Sequence, residues 1–458
     1  MHNFMWRFLC NYNKFEIPLQ KMLTKTSGLM YYPFMESIPQ KYLEVFMKKL
    51  LAMLLAVMLL ASLSSAAFAD KNEGVTLQLL QFKEDQAAII QAMIADFNAE
   101  HEGITVEATV LGDDFSATRQ TRFAGGNAPD VFFVEGYSDC ETWKEYLEDL
   151  SNEKWVSALA DNTVDGVTID GKIYGFPIGL EGYGFVYNKD IFEACGITEL
   201  PTTVAGYREV CETLKANGYQ VSCDAMAEWW FAGQHLLGIP FGDVNDPQGF
   251  ANQIIAQEKL IADDPYIQGF FDIIDLMVEF GAGADTIGVD YNDSLAKFAA
   301  GETAVMMTGN WAEGSFTAAN PDIKVGMFAV PLSDDGTGAK MATNVSAYYA
   351  INNQSEYVDE AKVLLDWMHD NYQKYFVDQM NLIPSFTDVE STDALGMTAK
   401  VIAEYVAEGK TGPFGFFFWP TGANQEFNGP LQQYAAGIMS REEALSEMQD
   451  IWDKFAGN

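Results

Sequence analysis

The strongest constraint on the fold is an alternation of strand and helix patterns that begins near residue 75. Residues 75–82 alternate apolar and polar side chains, and residues 89–97 then repeat apolar side chains at helical spacing. A second alternating segment covers residues 104–110. Residues 128–136 contain a continuous apolar run closed by turn residues, which is typical of a buried parallel strand. This order of strands and helices predicts an α/β lobe with a parallel core.

The second half of the chain continues in the same style. Its patterns predict a helix over 202–219, a helix that stops at Gly301 before a strand from Ala304, a long helix over 359–380, and a final helix that starts at a capping box of Ser440 and Glu443. No internal repeat or low-complexity linker separates the halves. Two α/β units without such a linker predict two lobes packed side by side.

Length and charge limit the class of protein. A chain of 458 residues with 48% apolar residues is long enough for two or three domains with large cores. The formal net charge of −38 repels phosphate backbones and anionic lipids, so the sequence argues against nucleic-acid binding. The simplest interpretation of the acidity is solubility.

Residues 47–69 carry the pattern of a secretory signal peptide. Two lysines follow Met47, residues 50–63 form an apolar run, and residues 67–69 read Ala-Phe-Ala, which is an A-x-A cleavage site. The apolar run is short for a membrane span, although an uncleaved anchor is the alternative. We therefore expect an exported protein, in the periplasm or at the cell surface, whose mature chain begins at Asp70.

The cysteines and the first residues add little to this organisation. No cysteine follows the apolar run, so lipoprotein processing is not expected. Residues 1–46 precede a complete signal, and we interpret them as an extension read from an upstream start codon. The mature chain has four widely spaced cysteines, Cys140, Cys195, Cys211 and Cys223, and none of them form a C-x-x-C motif. Export permits one disulfide among them, but we expect buried free thiols.

Motifs of catalysis are almost missing from the sequence. It contains no H-E-x-x-H pair, no phosphate-binding loop, no G-x-S-x-G elbow and no dinucleotide fingerprint. Residues 161–172 at first resemble a calcium loop, but Thr163 occupies a ligand position and Lys172 stands where a bidentate acid belongs. We expect no metal, no cofactor and no enzyme activity.

Aromatic residues beside acids are the remaining chemical feature. Residues 228–231 place one glutamate before three aromatic residues, an order that fits neither a helix stripe nor a strand. Trp311 and Trp419 lie in similar turns beside Asn, Glu or Gln. An aromatic ring stacks on the C–H face of a sugar, and a carboxylate accepts strong hydrogen bonds from its hydroxyl groups. These turns together predict a carbohydrate site, although core packing is an open alternative for each tryptophan alone.

Four segments carry a family resemblance. They are FAGGNAPDVFFVEG (123–136), DGKIYGFPIGLEGYGFVYNKDIFEACGI (170–197), LAKFAAGETAVMMTGNWA (295–312) and IKVGMFAVP (323–331). In order and spacing they resemble the bacterial family 1 extracellular solute-binding proteins, which serve ABC transporters as sugar-binding components. The second and third segments are the most specific, and agreement is weakest after residue 385.

The resemblance implies a type II periplasmic-binding-protein fold, in which two α/β lobes are joined by a multi-crossing hinge and the ligand cleft lies between them. It assigns 70–179 and 334–381 to the N-terminal lobe, and 182–329 and 386–458 to the C-terminal lobe. Three hinge crossings are expected near Ile178–Gly182, Ala329–Leu332 and Leu382–Ser385, where the glycines of the first would absorb the dihedral change of closure.

The resemblance also implies a set of ligand contacts. They are Asp113, Asp114, Glu135, Tyr137, Glu181, Tyr183, Glu228, Trp229, Trp230, Asn310, Trp311 and Trp419. Glu181 is expected at the cleft floor, and Trp311 is expected to stack on a sugar ring. The two aspartates belong to the loop after the second strand.

The sequence therefore predicts the binding component of an ABC importer, a monomer that closes on a carbohydrate, in particular an oligosaccharide, and delivers it to the membrane permease. A cationic or polar non-sugar solute in the same fold is one alternative. A secreted glycoside hydrolase that uses two of the carboxylates is another, and a surface adhesin without transport is a third. A phosphate or sulfate ligand is disfavoured because the candidate loops carry acids and no arginine.

Overall fold

The computed structural model describes residues 74–112, 114–390, 395–420 and 422–455. The predicted extension, signal peptide and cleavage site, together with the predicted contact Asp113, lie outside the described residues. The described residues from Gly74 to Phe455 form one compact unit. Within the described segments, we find no helix that is both long and apolar enough to cross a membrane.

The strands of the described chain are β1 (Val75–Gln81), β2 (Ile104–Val110), β3 (Val131–Val134), β4 (Thr168–Ile169), β5 (Lys172–Ile173), β6 (Phe176–Pro177), β7 (Leu180–Asn188), β8 (Val305–Gly309), β9 (Val325–Phe328), β10 (Met341–Val345), β11 (Tyr348–Ile351) and β12 (Thr411–Gly412). Its α-helices are α1 (Ala87–Glu100), α2 (Phe115–Ala124), α3 (Ser138–Trp143), α4 (Lys189–Ala194), α5 (Val204–Ala216), α6 (Leu237–Asp243), α7 (Pro247–Ile255), α8 (Pro265–Phe280), α9 (Tyr291–Ala299), α10 (Glu313–Ala319), α11 (Val358–Asp370), α12 (Met397–Ala407), α13 (Ala423–Ala435) and α14 (Arg441–Phe455).

The first lobe is built on a mixed sheet with the strand order β2-β1-β3-β11-β6. β1 pairs in parallel with both β2 and β3, as the alternating pattern predicts, and β11 joins them antiparallel. All four residues of β3 are buried, because helices cover both faces of a parallel core. One hydrophobic cluster fills this lobe and includes Phe132, Trp155 and Tyr349.

The second lobe is built around β7, which pairs antiparallel with β8, β9 and β10. β12 extends this sheet beyond β10. A large cluster rich in aromatic residues packs on one side and includes Tyr207, Phe271 and Trp452. The β7 strand therefore lies at the centre of the second lobe and starts directly at the boundary with the first.

The first crossing between the lobes confirms the prediction for this segment. β6 ends at Pro177 in the first sheet, and β7 begins at Leu180 in the second. Gly179 between them has φ +128°, which side chains disfavour, and a Cβ there would lie 2.7 Å from the Cβ of Leu382. Gly182 instead allows close packing against Ile402, so the conformational freedom of the crossing belongs to Gly179.

The second crossing lies later than predicted. Val330 and Leu332 pack in the core of the second lobe, and β10 still pairs with β7. The chain enters the first sheet only at β11, so the crossing passes through Ser346 and Ala347. The expected position near Ala329–Leu332 is wrong, and residues 334–345 of the predicted N-terminal lobe belong to the second lobe.

The return to the second lobe also comes later than predicted. Ile383 bridges to Leu180 at the boundary, but Phe386 bridges to Leu159 and packs in the first lobe. The chain rejoins the second lobe through α12. The buried carboxylate of Glu313 fixes the start of that helix by accepting bonds from the backbone N–H groups of Met397 and Thr398 at 2.6 and 2.7 Å.

Several predicted elements are confirmed. α5, α9 with β8, and α14 lie where the patterns place them, and Ser440 and Glu443 exchange capping-box hydrogen bonds of 2.8 and 3.2 Å. The long helix predicted over 359–380 is interrupted, because α11 ends at Asp370 and a π-helical turn covers Gln373–Val377. The four cysteines of the described residues are free thiols, of which Cys140, Cys211 and Cys223 are buried and Cys195 is half-buried.

Candidate ligand-binding cleft

A cleft of about 550 Å³ lies between the two lobes and takes its walls from both. The first lobe contributes the loop after β1, the loop after β3 and part of α2. The second lobe contributes residues 228–230, 234 and 235, the start of α9, Trp311, and residues of the segments 416–420 and 422–425. The ends of β1 and β3 meet at this edge because parallel strands present their carboxyl ends together.

An ion pair between the lobes forms part of the cleft floor. Lys83 follows β1 in the first lobe, and its Nζ lies 2.5 Å from Oε1 of Glu181 on β7. The two side chains are only 11% and 3% exposed. Nζ also lies 6.0 Å from the centroid of the Trp311 ring, within cation–π range. Glu181 thus lies at the floor as expected, but with its charge matched by Lys83.

A second buried ion pair supports the wall of the first lobe. Arg119 of α2 binds both carboxylate oxygens of Asp139, at 2.6 and 2.9 Å, and also donates to the carbonyl oxygen of Phe133. Glu135 stands beside this pair. Burial first, and then the negative charge of Asp139, raise the pKa of the Glu135 carboxyl to about 7 against the opposing effect of Arg119.

The opposite wall begins with the acid and aromatic residues at 228–230. The carboxylate of Glu228 accepts a hydrogen bond of 2.9 Å from the backbone N–H of Tyr291, which holds it at the start of α9. Trp229 and Trp230 follow and are half-buried. A π-helical turn, Phe231–Leu236, then directs Gln234 and His235 at the cleft. Such turns are frequent at functional sites.

The aromatic side chains surround a histidine. The ring of His235 stacks on Tyr183 at 4.6 Å and lies 5.2 and 5.4 Å from the rings of Trp230 and Trp311. Trp311 is held in place because its indole N–H donates to the Tyr291 hydroxyl at 3.1 Å. Burial first, and then the charge of Lys83, lower the pKa of His235 to about 3. The imidazole is therefore neutral at ordinary pH.

The lobes also touch at one end of the cleft. The Ser138 hydroxyl donates to the carbonyl oxygen of Phe417 at 3.0 Å. The Tyr137 ring lies 5.7 Å from Phe417 and 5.0 Å from Phe418, ring centre to ring centre. The predicted contact Tyr137 is therefore part of an inter-lobe packing contact and is not on the cleft wall.

The structure places half of the predicted contacts on the cleft surface. These residues, from both lobes, have side chains that are half-buried or close an ion pair: Glu135, Glu181, Glu228, Trp229, Trp230 and Trp311. They come from parts of the chain up to 176 positions apart, from residue 135 to residue 311. The cleft thus combines carboxylates with aromatic rings, the combination that the turns predicted.

Other predicted contacts lie elsewhere. Tyr183 is 1% exposed and packs beneath His235, since β7 turns its ring into the core. Asn310 is fully buried, and its carboxamide bonds the backbone of Gly182 and Asn381 at the lobe boundary. Their placement at the ligand surface was wrong, and Asn310 instead joins β7, β8 and the residues after α11.

Trp419 and Asp114 need the same correction. Trp419 borders the cleft, but only 1% of it is exposed, because its ring packs against Phe241, Phe427 and Trp452. It is a core residue, the alternative that the sequence left open. Asp114 is exposed at the start of α2 and is not among the residues that line the cleft.

Several residues of the cleft were not predicted from the sequence. Lys83 follows directly on β1, where ligands commonly lie in α/β folds, and this position was the available signal. His235 lies seven positions after Glu228, on the π-helical turn Phe231–Leu236, and no local sequence pattern predicts such a turn. Arg119 appears as an ordinary helix residue in the sequence. The cleft therefore contains cations that the argument against anionic ligands did not count, although each is paired.

The chain folds into two α/β lobes, crosses between them several times and leaves a cleft between them. This architecture defines a binding protein of the type II periplasmic class. Residues 83–375 match the family described as bacterial extracellular solute-binding protein, and the chain belongs to that family. The extracellular character of the family is consistent with the secretory signal in the sequence.

Characterised relatives point in the same direction. The multiple sugar-binding protein of Streptococcus mutans is 24% identical over 327 residues, which is 69% of this chain and 76% of that protein. The galactooligosaccharide-binding protein of Bacillus subtilis is 25% identical over 313 residues, or 66% and 71% of the respective chains.

Solved structures share the fold. A solute-binding protein, RafE, in complex with raffinose superposes with a TM-score of 0.73 at 20% identity and covers 83% of this chain and all of that one. A chitin oligosaccharide binding protein gives a TM-score of 0.72 at 20% identity, with coverage of 84% and 100%. A sugar transporter protein from Bacillus licheniformis in complex with stachyose gives 0.68 at 20% identity, with coverage of 83% and 100%.

Proposed function

We propose that this protein is the extracytoplasmic binding component of an ABC importer, and that it holds an oligosaccharide between its lobes for delivery to the permease. The observation that carries this proposal is the arrangement of half-buried Trp230 and Trp311 next to His235, in a cleft that also carries the carboxyls of Glu135 and Glu228. Rings bind sugar faces, and carboxylates bind hydroxyl groups.

The size of the cleft supports a ligand larger than one sugar ring. Its volume of about 550 Å³ lies within the range of pockets that enclose drug-sized molecules. The names of the relatives and of the solved complexes point to raffinose, stachyose, chitin oligosaccharides and galactooligosaccharides as ligands of those proteins. An oligosaccharide is the ligand class that agrees with both observations.

A cationic solute is a weaker candidate. Such a ligand needs an aromatic ring with an acid beside it, and Trp311 with Glu181 at the cleft floor is one such pair. Lys83 already occupies it, with its ammonium 2.5 Å from the carboxylate and 6.0 Å from the ring centroid. A cationic ligand would have to displace the protein's own cation from a nearly buried position.

A glycoside hydrolase is also less well supported. Hydrolysis needs one carboxylate free to act as base or nucleophile and another that serves as acid. Glu181 is held by Lys83, and Asp139 by the bidentate Arg119 pair. Glu228 accepts a backbone hydrogen bond. Glu135, with a pKa of about 7, is the carboxyl suited to act as an acid, but the acids suited to act as its base or nucleophile partner in the cleft wall, Glu181 and Glu228, are both held by these bonds. We propose that the protein binds its ligand without cleaving it.

The remaining parts of the proposal concern processing and assembly. We propose cleavage after Ala69, release of a mature chain that begins at Asp70, and action as a monomer until it meets the permease. N-terminal sequencing of the secreted protein tests the cleavage site, and a first residue before Met47 would contradict it.

A thermal-shift screen of the mature protein tests the ligand class, since a ligand that binds only the folded state raises the melting temperature. The panel contains raffinose, stachyose, maltotriose and chitotriose, with spermidine as the cationic comparison. We expect at least one oligosaccharide to raise the melting temperature and to be recovered intact. A shift with spermidine alone would favour the cationic alternative, and cleavage of the sugar would favour the hydrolase.

A further inference from the structure

We infer that the cleft selects uncharged oligosaccharides and rejects those that carry a carboxylate or a sulfate, an inference that rests on the proposed function and specifies its ligand. The selectivity follows from which charged groups of the cleft have an oppositely charged partner and which do not.

The positive charges in the cleft are already used. Among the described residues that line the cleft, the cations are Lys83 and Arg119. Lys83 pairs with Glu181 at 2.5 Å. Arg119 is 2% exposed, binds both oxygens of Asp139 and donates to the carbonyl oxygen of Phe133. An anionic ligand could recruit either cation only by leaving a buried carboxylate without its partner, which is strongly unfavourable.

Several acids of the cleft have no such partner. Glu84 and Asp85 follow Lys83 in the loop after β1, and Glu135 stands beside the Arg119–Asp139 pair. The Asp85 side chain keeps exposed surface, yet the cleft desolvates its carboxyl enough to raise its pKa, against the opposing charge of Lys83. Each of these three carboxyls lines the cleft, and no described lysine or arginine forms an ion pair with any of them. The unmatched charge that a ligand meets in the described cleft is therefore negative.

The neutral residues do not compensate for this charge. Among the described residues that line the cleft, His235 carries an imidazole ring. Burial, together with the charge of Lys83, keeps that ring neutral. The remaining polar groups near it, such as Gln234 and Asn424, are uncharged and hydrogen-bonded to each other at 3.0 Å. They suit hydroxyl and amide groups of a sugar, whereas a carboxylate on the ligand would face like charges inside the cleft.

The test compares two derivatives of one sugar that differ in charge and hardly in size. The panel oligosaccharide with the largest thermal shift is oxidised at one primary hydroxyl to the uronate, and part of the product is converted to the uronamide. Affinities are measured by calorimetry at about pH 8, where free carboxylates are ionised. We expect the uronate to bind about 100-fold more weakly than the uronamide.

Variants assign the effect to the cleft. Glu135→Gln and Asp85→Asn each remove one negative charge. Each should reduce the ratio of the uronamide affinity to the uronate affinity by roughly threefold to tenfold. Glu302→Gln removes an exposed acid that does not line the cleft. It changes the net charge equally and should leave the ratio unchanged.

The outcomes separate the two proposals. Equal affinities for uronate and uronamide would overturn the charge selectivity while leaving the binding of sugars intact. An equal response of all three variants would also overturn it, because the effect would then come from the charge of the whole surface. If no oligosaccharide of the panel binds, the proposed function fails, and this inference fails with it.

Discussion

The rings of Trp230 and Trp311 both lie next to His235, and each is half-buried and lines the cleft. The surrounding contacts fix these rings without covering them, as the bond from Trp311 to the Tyr291 hydroxyl shows. A rigid ring that keeps an open face loses little conformational freedom when a sugar stacks on it. This is the property that separates these two tryptophans from those of the core.

Removal of either ring should therefore weaken binding more than folding. We expect Trp230→Ala and Trp311→Ala each to reduce the binding free energy of the panel oligosaccharide by roughly 1–3 kcal/mol, the value of burying an aromatic side chain. Titration calorimetry and thermal unfolding are measured on the same proteins.

Trp155→Ala is the matched control, since Trp155 is fully buried in the first lobe and does not line the cleft. Its loss should cost about 3–5 kcal/mol of stability and leave the affinity of the folded protein nearly unchanged. Cleft variants that unfold early but titrate like the wild type would mean that both rings serve the core.

The ion pair of Lys83 and Glu181 leads to a second prediction at the scale of single residues. Lys83→Met leaves the Glu181 carboxylate, 3% exposed, without its partner. We expect a loss of about 3–5 kcal/mol in the free energy of unfolding, because an unpaired buried charge is costly. The double variant Lys83→Met/Glu181→Gln should recover most of that loss, as measured by urea unfolding. Equal stabilities of the single and double variants would show that the pair contributes little.

At the scale of elements, the boundary between the lobes depends on long-range pairing. β7 pairs with β8, β9 and β10, which all lie more than a hundred residues later in the chain. Asn310 then ties β7 to the chain after α11, with bonds of 2.9 Å to the Gly182 N–H and 2.7 Å to the Asn381 carbonyl oxygen. The crossings are held together by a few buried polar groups in addition to apolar packing.

The carboxylate of Glu313 is the element-scale counterpart of a helix cap. It accepts bonds from the Met397 and Thr398 N–H groups and from the Thr398 hydroxyl, at the start of α12. We expect Glu313→Ala to cost about 1–2 kcal/mol of stability, and hydrogen exchange to accelerate over residues 397–407. Asp359→Asn, at an exposed acid in the first turn of α11, is the control and should change neither. Unchanged exchange over α12 in Glu313→Ala would contradict this role.

The sequence predicted elements better than it predicted their partners. Strands β1 to β3 and helices α5, α9 and α14 follow from periodicity, because each pattern is local. The second crossing was placed too early because β10 looks like any short strand until its pairing with β7 is known. Likewise Asn310 and Tyr183 carry suitable chemistry beside the predicted cleft, but the direction of a side chain at a crossing depends on sheets formed from distant segments.

At the scale of the whole molecule, buried acids should make stability depend on pH. Burial raises the pKa values of Glu135, Asp224 and Asp243 to about 7 each. These values exceed those of the unfolded chain, so the folded state holds more protons between about pH 4 and pH 7. The free energy of unfolding should therefore fall as the pH rises through that window.

His235 acts in the opposite sense, since its pKa is lowered to about 3 and its contribution rises with pH up to the unfolded value of about 6.5. Three acids outweigh one histidine, so we expect a lower melting temperature at about pH 8 than at about pH 5. Asp224→Asn replaces a buried acid, bonded by the Ser222 hydroxyl at 2.6 Å, with its neutral analogue. This substitution should reduce the difference in the free energy of unfolding between about pH 5 and about pH 8 by roughly 1–3 kcal/mol. An unchanged pH profile would show that Asp224 is ionised in the folded state.

The central claim is that the oligosaccharide is held between the two lobes, and hydrogen exchange with the bound panel sugar tests it most directly. Saturating ligand should slow exchange on both sides of the cleft, in the loop after β1 at residues 82–85 and in the second lobe at residues 228–236. Residues 441–455, which do not line the cleft, should exchange as before. Protection confined to one lobe, or protection only outside the cleft, would contradict the account.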